Sequence, residues 1–370
     1  MSSSFAERAR SLEPSTVRAA PRFLAPVIAG IGLSFVAQLV LAPAIGPFYA
    51  KIFTDIGINI ILAVSLNVVN GFTGQFSIGH AGFMAVGGYM AGAVTYYGSF
   101  LLWGSAEIHG GFLGSGDILF LCGCLAGGLT AAAAGYVVGL PSLRLRGDYL
   151  AIVTLGFGEI IRVLLQQTGD VLFLKEEIDQ ASPITLLGML GGSLGFTGIP
   201  FYTTVFWVYV FVTLTLVVAY RLKESSFGRA FLSIRENEIA AEAMGINTTK
   251  FKVQAFVLSA FFAGIAGGLF AHEVGTALNP RELGFQKSFD IVIMVVLGGT
   301  GSVSGAVLAA MLLTILPEML RSFADYRMIV YALSLIVMMI VRPQGLFGIR
   351  EIWEIDVRKW LRMGPRQVTR

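Results

Sequence analysis

The chain has 370 residues, of which 55% are hydrophobic and only 13% charged, and its mean hydropathy is +0.75. These values exclude a soluble globular domain and define an integral membrane protein. The formal net charge of +3 resides mostly in loops and tail, so it bears on orientation and gives no reason to expect a nucleic-acid partner.

Residues 1–22 are polar, carry Arg8, Arg10, Arg18 and Arg22, and lack the pattern of a cleaved signal, so they read as a cytoplasmic tail. Apolar runs follow at about Phe23 to Ala42, Ile52 to Val69, Phe76 to Tyr97, Asp117 to Leu140, Tyr149 to Gln167, Phe201 to Tyr220 and Val253 to Ala271. A run from Phe289 to Leu316 is interrupted by glycines, and a last one lies near Met328 to Val341. Runs of roughly 20 residues match the ~30 Å hydrocarbon core as helices, not as barrel strands. The expected fold is all-α: a polytopic transmembrane bundle of about eight spanning helices plus a broken or re-entrant pair. The transmembrane body covers 23–341 and a basic tail 342–370. The 45 glycines sit within the apolar runs, where small residues let helices approach closely. Cys122 and Cys124 point to different faces of one helix and read as packing residues, with no disulfide or metal implied.

Orientation follows from Lys and Arg. Starting inside, the fourth run returns to Arg144 and Arg146, the fifth exits to a loop with Asp170, Glu176, Glu177 and Asp179, and the sixth returns to Arg221, Lys223, Arg229 and Arg235. The tail, with Arg342, Arg350, Arg358 and Lys359 among its basic residues, is also inside if the broken run counts as an even number of crossings. Both termini are therefore expected to be cytoplasmic.

The longest charged insert, 221–252, lies on that same side. Ser233 three residues before Glu236 reads as a capping box, and Gly245 as the stop of a helix of about eleven residues. Ala240, Ala243 and Met244 share one face of it; Arg235, Glu238 and Glu242 share another. It reads either as a solvated loop helix or as a docking helix.

Two segments are too polar and too breakable to face lipid. Asn70 to Gly82 holds four glycines with Asn70, Thr73, Gln75, Ser77 and His80, and predicts a bent interior element. Its Thr73-Gly74-Gln75-Phe76-Ser77 shares T-G-x-x-S with Thr300-Gly301-Ser302-Val303-Ser304 in the broken run. Paired glycine-interrupted segments point to a translocation path, which makes Thr300, Ser302 and Ser304 candidates too. His80 either holds the kink by bonding a neighbouring helix or lines the path. Glu159 and Arg162 stand at i, i+3 about 15 Å into their span, as a buried structural pair or as substrate contacts. Asp55 and Asp290 read as helix-end residues at the outer interface.

No G-x-x-x-x-G-K-[ST] or H-E-x-x-H occurs, and His80, His109 and His272 lie in separate segments. The chain thus offers no phosphate cradle or paired-histidine metal site of its own.

Four ordered blocks, Leu66 to Gly92, Leu143 to Leu165, Phe227 to Lys252 and Val295 to Ala306, with the closing Arg342-Pro343-Gln344-Gly345-Leu346-Phe347-Gly348, resemble the LivM-type permeases of bacterial branched-chain amino acid ABC importers. The resemblance implies an inner-membrane, multi-pass transport subunit and no enzyme. It would be paired with a LivH-type permease, two cytoplasmic ATP-binding subunits that hold ATP and Mg, and a periplasmic amino acid-binding protein. It also implies that Glu236 to Gly245 is a form of the EAA loop. The ATPase-coupling residues would then be Ser233, Arg235, Glu236, Glu238, Ala240, Ala241, Glu242, Ala243 and Gly245. Two alternatives stay open: a urea or short-chain amide importer, and a stand-alone channel or secondary carrier.

Overall fold

A computed structural model describes residues 16–142, 148–274 and 277–323, with isolated positions from 329 to 351. The structure is helical apart from one two-stranded ribbon. In chain order the helices are α1 (Thr16–Val36), α2 (Ala42–Asn67), α3 (His80–Trp103), α4 (Ser115–Ser142), α5 (Asp148–Gln166), α6 (Lys175–Gln180) and α7 (Pro183–Gly188). They continue with α8 (Val205–Glu224), α9 (Ser226–Glu236), α10 (Glu238–Ala243), α11 (Thr248–Val274), α12 (Phe285–Gly298) and α13 (Val303–Met319). Strands β1 (Phe196–Thr197) and β2 (Ala277–Leu278) pair antiparallel and tie the loop before α8 to the end of α11.

Five helices among the described residues are long and apolar enough to cross a membrane: Pro43–Phe72, Ser115–Ser142, Tyr149–Gln166, Val205–Glu224 and Thr248–Val274. The interruption expected between Phe289 and Leu316 is present, with α12 ending at Gly298 and α13 starting at Val303. The basic connector Arg144, Arg146 and most of the run near Met328 to Val341 lie outside the described residues, as do residues 1–15.

The centre is built where α3, α4 and α11 meet backbone to backbone. A Cβ placed on Gly87 would lie 2.2 Å from the Gly264 Cα, and one on Gly127 would lie 2.4 Å from the Gly87 carbonyl oxygen. Between apolar helices there is no hydrophobic gain over lipid, so close van der Waals approach of this kind supplies the attraction. Cys124 is buried, whereas Cys122 on the other face of α4 is exposed; the two-residue step that separates their faces takes one of them out of the core. Gly87→Val should overpack the three-helix contact at a cost of roughly 1–3 kcal/mol or more. A clear loss of thermal stability of the detergent-purified protein, against an unchanged Gly156→Ala control in open space, is the expected outcome.

Candidate functional site

At one end of the bundle both chain interruptions come together. After α2 the backbone makes a π-helical turn at Val68–Phe72 and then runs without helix to Gly79. This stretch is held from three sides. Asn70 closes it internally, accepting from the Ser77 N–H at 3.1 Å and donating to the Ser77 carbonyl at 3.3 Å. Thr154 of α5 accepts from the Ile78 N–H at 3.1 Å, and Ser288 of α12 accepts from the Ala81 N–H at 3.1 Å. Thr73 donates to the Val69 carbonyl at 2.8 Å, and Gln75 donates to the Thr73 carbonyl at 3.5 Å. His80 is buried, and its Nε2 lies 2.9 Å from the Ser65 hydroxyl, so α2 and the first residue of α3 are joined across the break.

The second break, Gly299 to Ser302, packs directly on the first. Asn67 donates to the Ser302 carbonyl at 3.0 Å and accepts from the Gly301 N–H at 2.9 Å. A Cβ on Gly71 would lie 2.5 Å from the Gly301 nitrogen, so no other residue fits there without moving the second break. The two T-G-x-x-S segments are thus neighbours in space.

Arg235 at the end of α9 spans both. Its guanidinium donates to the Gly71 carbonyl at 2.7 Å, to the Thr300 carbonyl at 3.3 Å and to the Thr300 hydroxyl at 3.4 Å. The Gly71 carbonyl belongs to the last turn before the first break and the Thr300 carbonyl lies just past the C-terminal end of α12, where the helix dipole is negative and backbone acceptors lack an intrahelical partner. One cation therefore satisfies two helix ends, and no carboxylate shares it among the described residues.

The helix carrying Arg235 differs from the sequence expectation. Ser225, not Ser233, caps α9, accepting from the Gly228 N–H at 3.2 Å. Ser233 lies inside α9 and donates to the Ala230 carbonyl at 2.8 Å, so the capping box with Glu236 does not form. The chain breaks at Asn237, which caps α10 by accepting from the Ala240 N–H at 3.0 Å. An aspartate-like side chain at Asn237 competes for the backbone more effectively than a serine already committed to a helical turn. The stop at Gly245 is where expected, with φ at +86° and the Ile246 N–H reaching the Ala241 carbonyl at 3.0 Å. In α10, Ala241 is the buried residue, while Ile239, Ala240, Ala243 and Met244 are exposed. Glu238 and Glu242 turn back to α11, accepting from Lys252 and from the Thr248 hydroxyl, each at 2.6 Å.

A further piece of the junction gave no signal in the sequence. Glu351, far along the basic tail, is buried against the start of α13 and accepts from the N–H groups of Val303 (3.1 Å) and Ser304 (3.0 Å) and from the Ser304 hydroxyl (2.6 Å). Lys223 at the end of α8 pairs with it and also donates to the Gly301 carbonyl at 3.0 Å. The Leu346 N–H reaches the Leu297 carbonyl at 2.7 Å, which lays the tail over the end of α12. Burial pushes the Glu351 carboxyl up, but Lys223, Ser304 and the Val303 N–H outweigh it and hold it below the usual carboxylate value.

At the opposite end of the bundle lies a second polar group of side chains. Lys51 pairs with Glu273 at 2.9 Å, Lys287 donates to Asn59 at 3.1 Å, and Asn59 donates to Thr314 at 2.9 Å. Asp55, expected as a helix-end residue at the outer interface, lies beside Lys51 and Glu273 of this group, whose other members carry no signal in the sequence. Glu159 and Arg162 do form their i, i+3 pair at 2.7 Å, but both side chains stay partly exposed, at 34% and 27%, and are not sealed inside the chain.

Taken together, apolar spans, paired interruptions at one end of the bundle and a polar insert bonded to both of them describe a membrane transport subunit of the permease type. The chain belongs to the family described as branched-chain amino acid transport system / permease component, whose profile matches residues 48–342. The high-affinity branched-chain amino acid transport system permease protein LivM of Escherichia coli (strain K12) is 38% identical over 350 residues, which cover 88% of this chain and 78% of that protein. The permease protein LivH of the same organism is 24% identical over 87% of this chain and 98% of its own length. The autoinducer 2 import system permease protein LsrC of Shigella flexneri is 27% identical over 52% of this chain and 53% of its own length. No solved structure matches the chain.

Two outcomes follow from the junction. Arg235→Ala should leave two helix-end carbonyls unpaired, at about 1.5–3 kcal/mol for a charged hydrogen bond, and lower coupled uptake by about tenfold or more; Arg235→Lys, which cannot span both breaks with one ammonium, should fall between. Uptake into vesicles bearing the full set of subunits measures this. A carboxylate with a lowered pKa in the folded state stabilises fully above its ordinary 4.5 and loses that contribution as the pH falls through the lower value. A fluorophore on the tail should therefore report a docked tail from about pH 8 to about 5 and release only below that range, and Glu351→Gln should abolish the transition.

Proposed function

We propose that this chain is the membrane-spanning subunit of an ATP-binding cassette importer that moves branched-chain aliphatic amino acids across the bacterial inner membrane. Its partners are a LivH-type permease, two cytoplasmic ATP-binding subunits that hold ATP and Mg, and a periplasmic amino acid-binding protein. The chain itself acts as no enzyme and binds no nucleotide or metal. It crosses about eight times, with α12 and α13 as a re-entrant pair and both termini in the cytoplasm. The family match and the relatives' names support amino acids over urea or amides as cargo.

The observation that carries the mechanism is the Arg235 bridge. ATP binding closes the ATPase pair, and the exposed face of α10 at Ile239, Ala240, Ala243 and Met244 rides on that motion. Because α9 and α10 meet at Asn237, next to Arg235, displacement of α10 pulls on the Gly71 and Thr300 carbonyls together. Ser233 and Glu236 serve the stiffness of α9; Glu238, Ala241 and Glu242 fix α10 to α11, and Gly245 lets the chain turn back. Asn70, Thr73, Gln75, Ser77, His80, Thr300, Ser302 and Ser304 form the hinge at which the path changes the side it faces. Coupling of this kind requires an element with two arrangements that both sites bias, and unwound backbone held by exchangeable hydrogen bonds meets that requirement.

Ile239→Asp combined with Met244→Asp should place charge on the docking face and abolish co-purification of the ATP-binding subunits without loss of membrane insertion. Reconstitution with all partners should give ATP-dependent uptake of leucine, isoleucine and valine, and none when the ATP-binding subunits are omitted. Uptake that persists without them would establish a stand-alone carrier instead.

A further inference from the structure

We propose that Arg162, oriented by Glu159, receives the α-carboxylate of the translocated amino acid on the open flank of α5. The inference rests on the transport reading and adds the substrate contact that it leaves unspecified.

Glu159 and Arg162 are the two charged residues of the span Tyr149–Gln166. Glu159 lies ten residues past Tyr149, about 15 Å along the helix at 1.5 Å per residue, and a charge at that depth is costly unless paired or facing a wet cavity. The pair keeps 34% and 27% of its side-chain surface open. That surface does not suit lipid. It suits a passage between this chain and a second permease subunit.

The bonding inventory shows what is left over. Glu159 Oε2 accepts from Arg162 Nε at 2.7 Å, and Oε1 accepts from the Phe285 N–H at 2.9 Å, at the start of α12. Both carboxylate oxygens are engaged, and the guanidinium is held by Nε alone. Among the described residues neither Nη1 nor Nη2 of Arg162 makes a hydrogen bond, so the outer edge of the fork, the edge that matches a carboxylate with two parallel bonds, is free. The seat is tight from behind: a Cβ on Gly284 would lie 2.9 Å from Arg162 Cδ and 3.3 Å from Glu159 Oε1.

An apolar surface adjoins the fork. Phe285, whose N–H Glu159 holds, is 48% exposed, and its ring lies 4.4 Å from that of Phe289, itself 38% exposed. A free carboxylate-binding edge beside an exposed aromatic pair has the chemistry that the carboxylate and side chain of an aliphatic α-amino acid require. It does not have that of urea or an amide, neither of which offers an anion. Because Glu159 also holds the first N–H of α12, whose far end meets Arg235, occupancy of this site and the state of the inner junction share one helix.

The test uses the complete complex with Cys122 and Cys124 changed to Ser and Val163→Cys introduced one helical turn from Glu159 and next to Arg162, where Val163 is 44% exposed. A charged, water-soluble thiol reagent should label the introduced thiol. Leucine at saturating concentration should slow labelling severalfold, and leucinamide, which lacks the carboxylate, should not. Arg162→Gln should remove the protection and lower leucine uptake about tenfold, and Arg162→Lys should restore part of both. Absence of labelling, equal protection by leucinamide, or protection surviving Arg162→Gln would overturn the inference. If Arg162→Gln fails to assemble, the contrast between leucine and leucinamide in the parent still decides. A parent complex that imports no amino acid with ATP would instead defeat the transport reading.

Discussion

A peptide bond without a partner is expensive in hydrocarbon, and every helix that stops short inside a membrane exposes up to four carbonyls or four N–H groups. This chain stops twice within the bundle, after Phe72 and after Gly298, and the residues around the two stops are arranged almost entirely to satisfy those groups. Asn67 and Asn70 each act as a peptide surrogate, accepting from one backbone N–H and donating to one carbonyl. Arg235 takes the carbonyl ends and Glu351 the N–H end of α13. The cation and the anion sit where the helix dipoles favour them. The amino acids of the junction follow from the breaks, and the breaks themselves follow from the need for a part that can move.

Movement and rigidity are divided along the chain by side-chain size. Around Gly87, Gly127 and Gly264 the backbones are in van der Waals contact, and any relative shift of α3, α4 and α11 forces an overlap, so these helices travel as one piece. At the junction the contacts are hydrogen bonds whose partners water could replace at a net cost of about 1 kcal/mol each. The softer contact yields first. A displacement of α9 would therefore be taken up at the breaks before it disturbed the packed centre, which is what the proposed coupling requires.

The legible parts of the sequence were those governed by local rules. Apolar length marked the spans, glycines in an apolar run marked the interruption between α12 and α13, and positive φ at Gly245 made glycine the stop of the insert. Local rules also produced the one misplaced helix start, because Ser233 and Glu236 satisfy a capping pattern equally well whether or not the helix has already begun at Ser226. The true break depends on Asn237, a residue whose competing side chain is silent in periodicity. Pairings across long separations were beyond any local rule: nothing near Glu351 announces that it will cap a helix beginning 48 residues earlier, and Lys51 meets Glu273 across 222 residues. Arg235 was singled out as a coupling residue facing a partner protein, whereas its guanidinium points back into its own chain.

That inward direction changes how force enters the membrane. Had Arg235 faced the ATPase, motion of the loop would reach the spans only through the covalent ends of the insert, at Arg221 and Lys252. With the guanidinium bonded to Gly71 and Thr300, the loop grips α2 and α12 some 160 and 60 residues away in sequence, at their C-terminal ends. The other ends of those two helices carry Lys51 and Lys287, whose partners Glu273 and Asn59 belong to α11 and α2. In the proposed mechanism each of these helices, held by a lysine at one end and gripped by the loop at the other, would act as a lever. Helix α12 joins the polar groups at the two ends of the bundle, and its first N–H, on Phe285, is held by Glu159 of the Glu159–Arg162 pair.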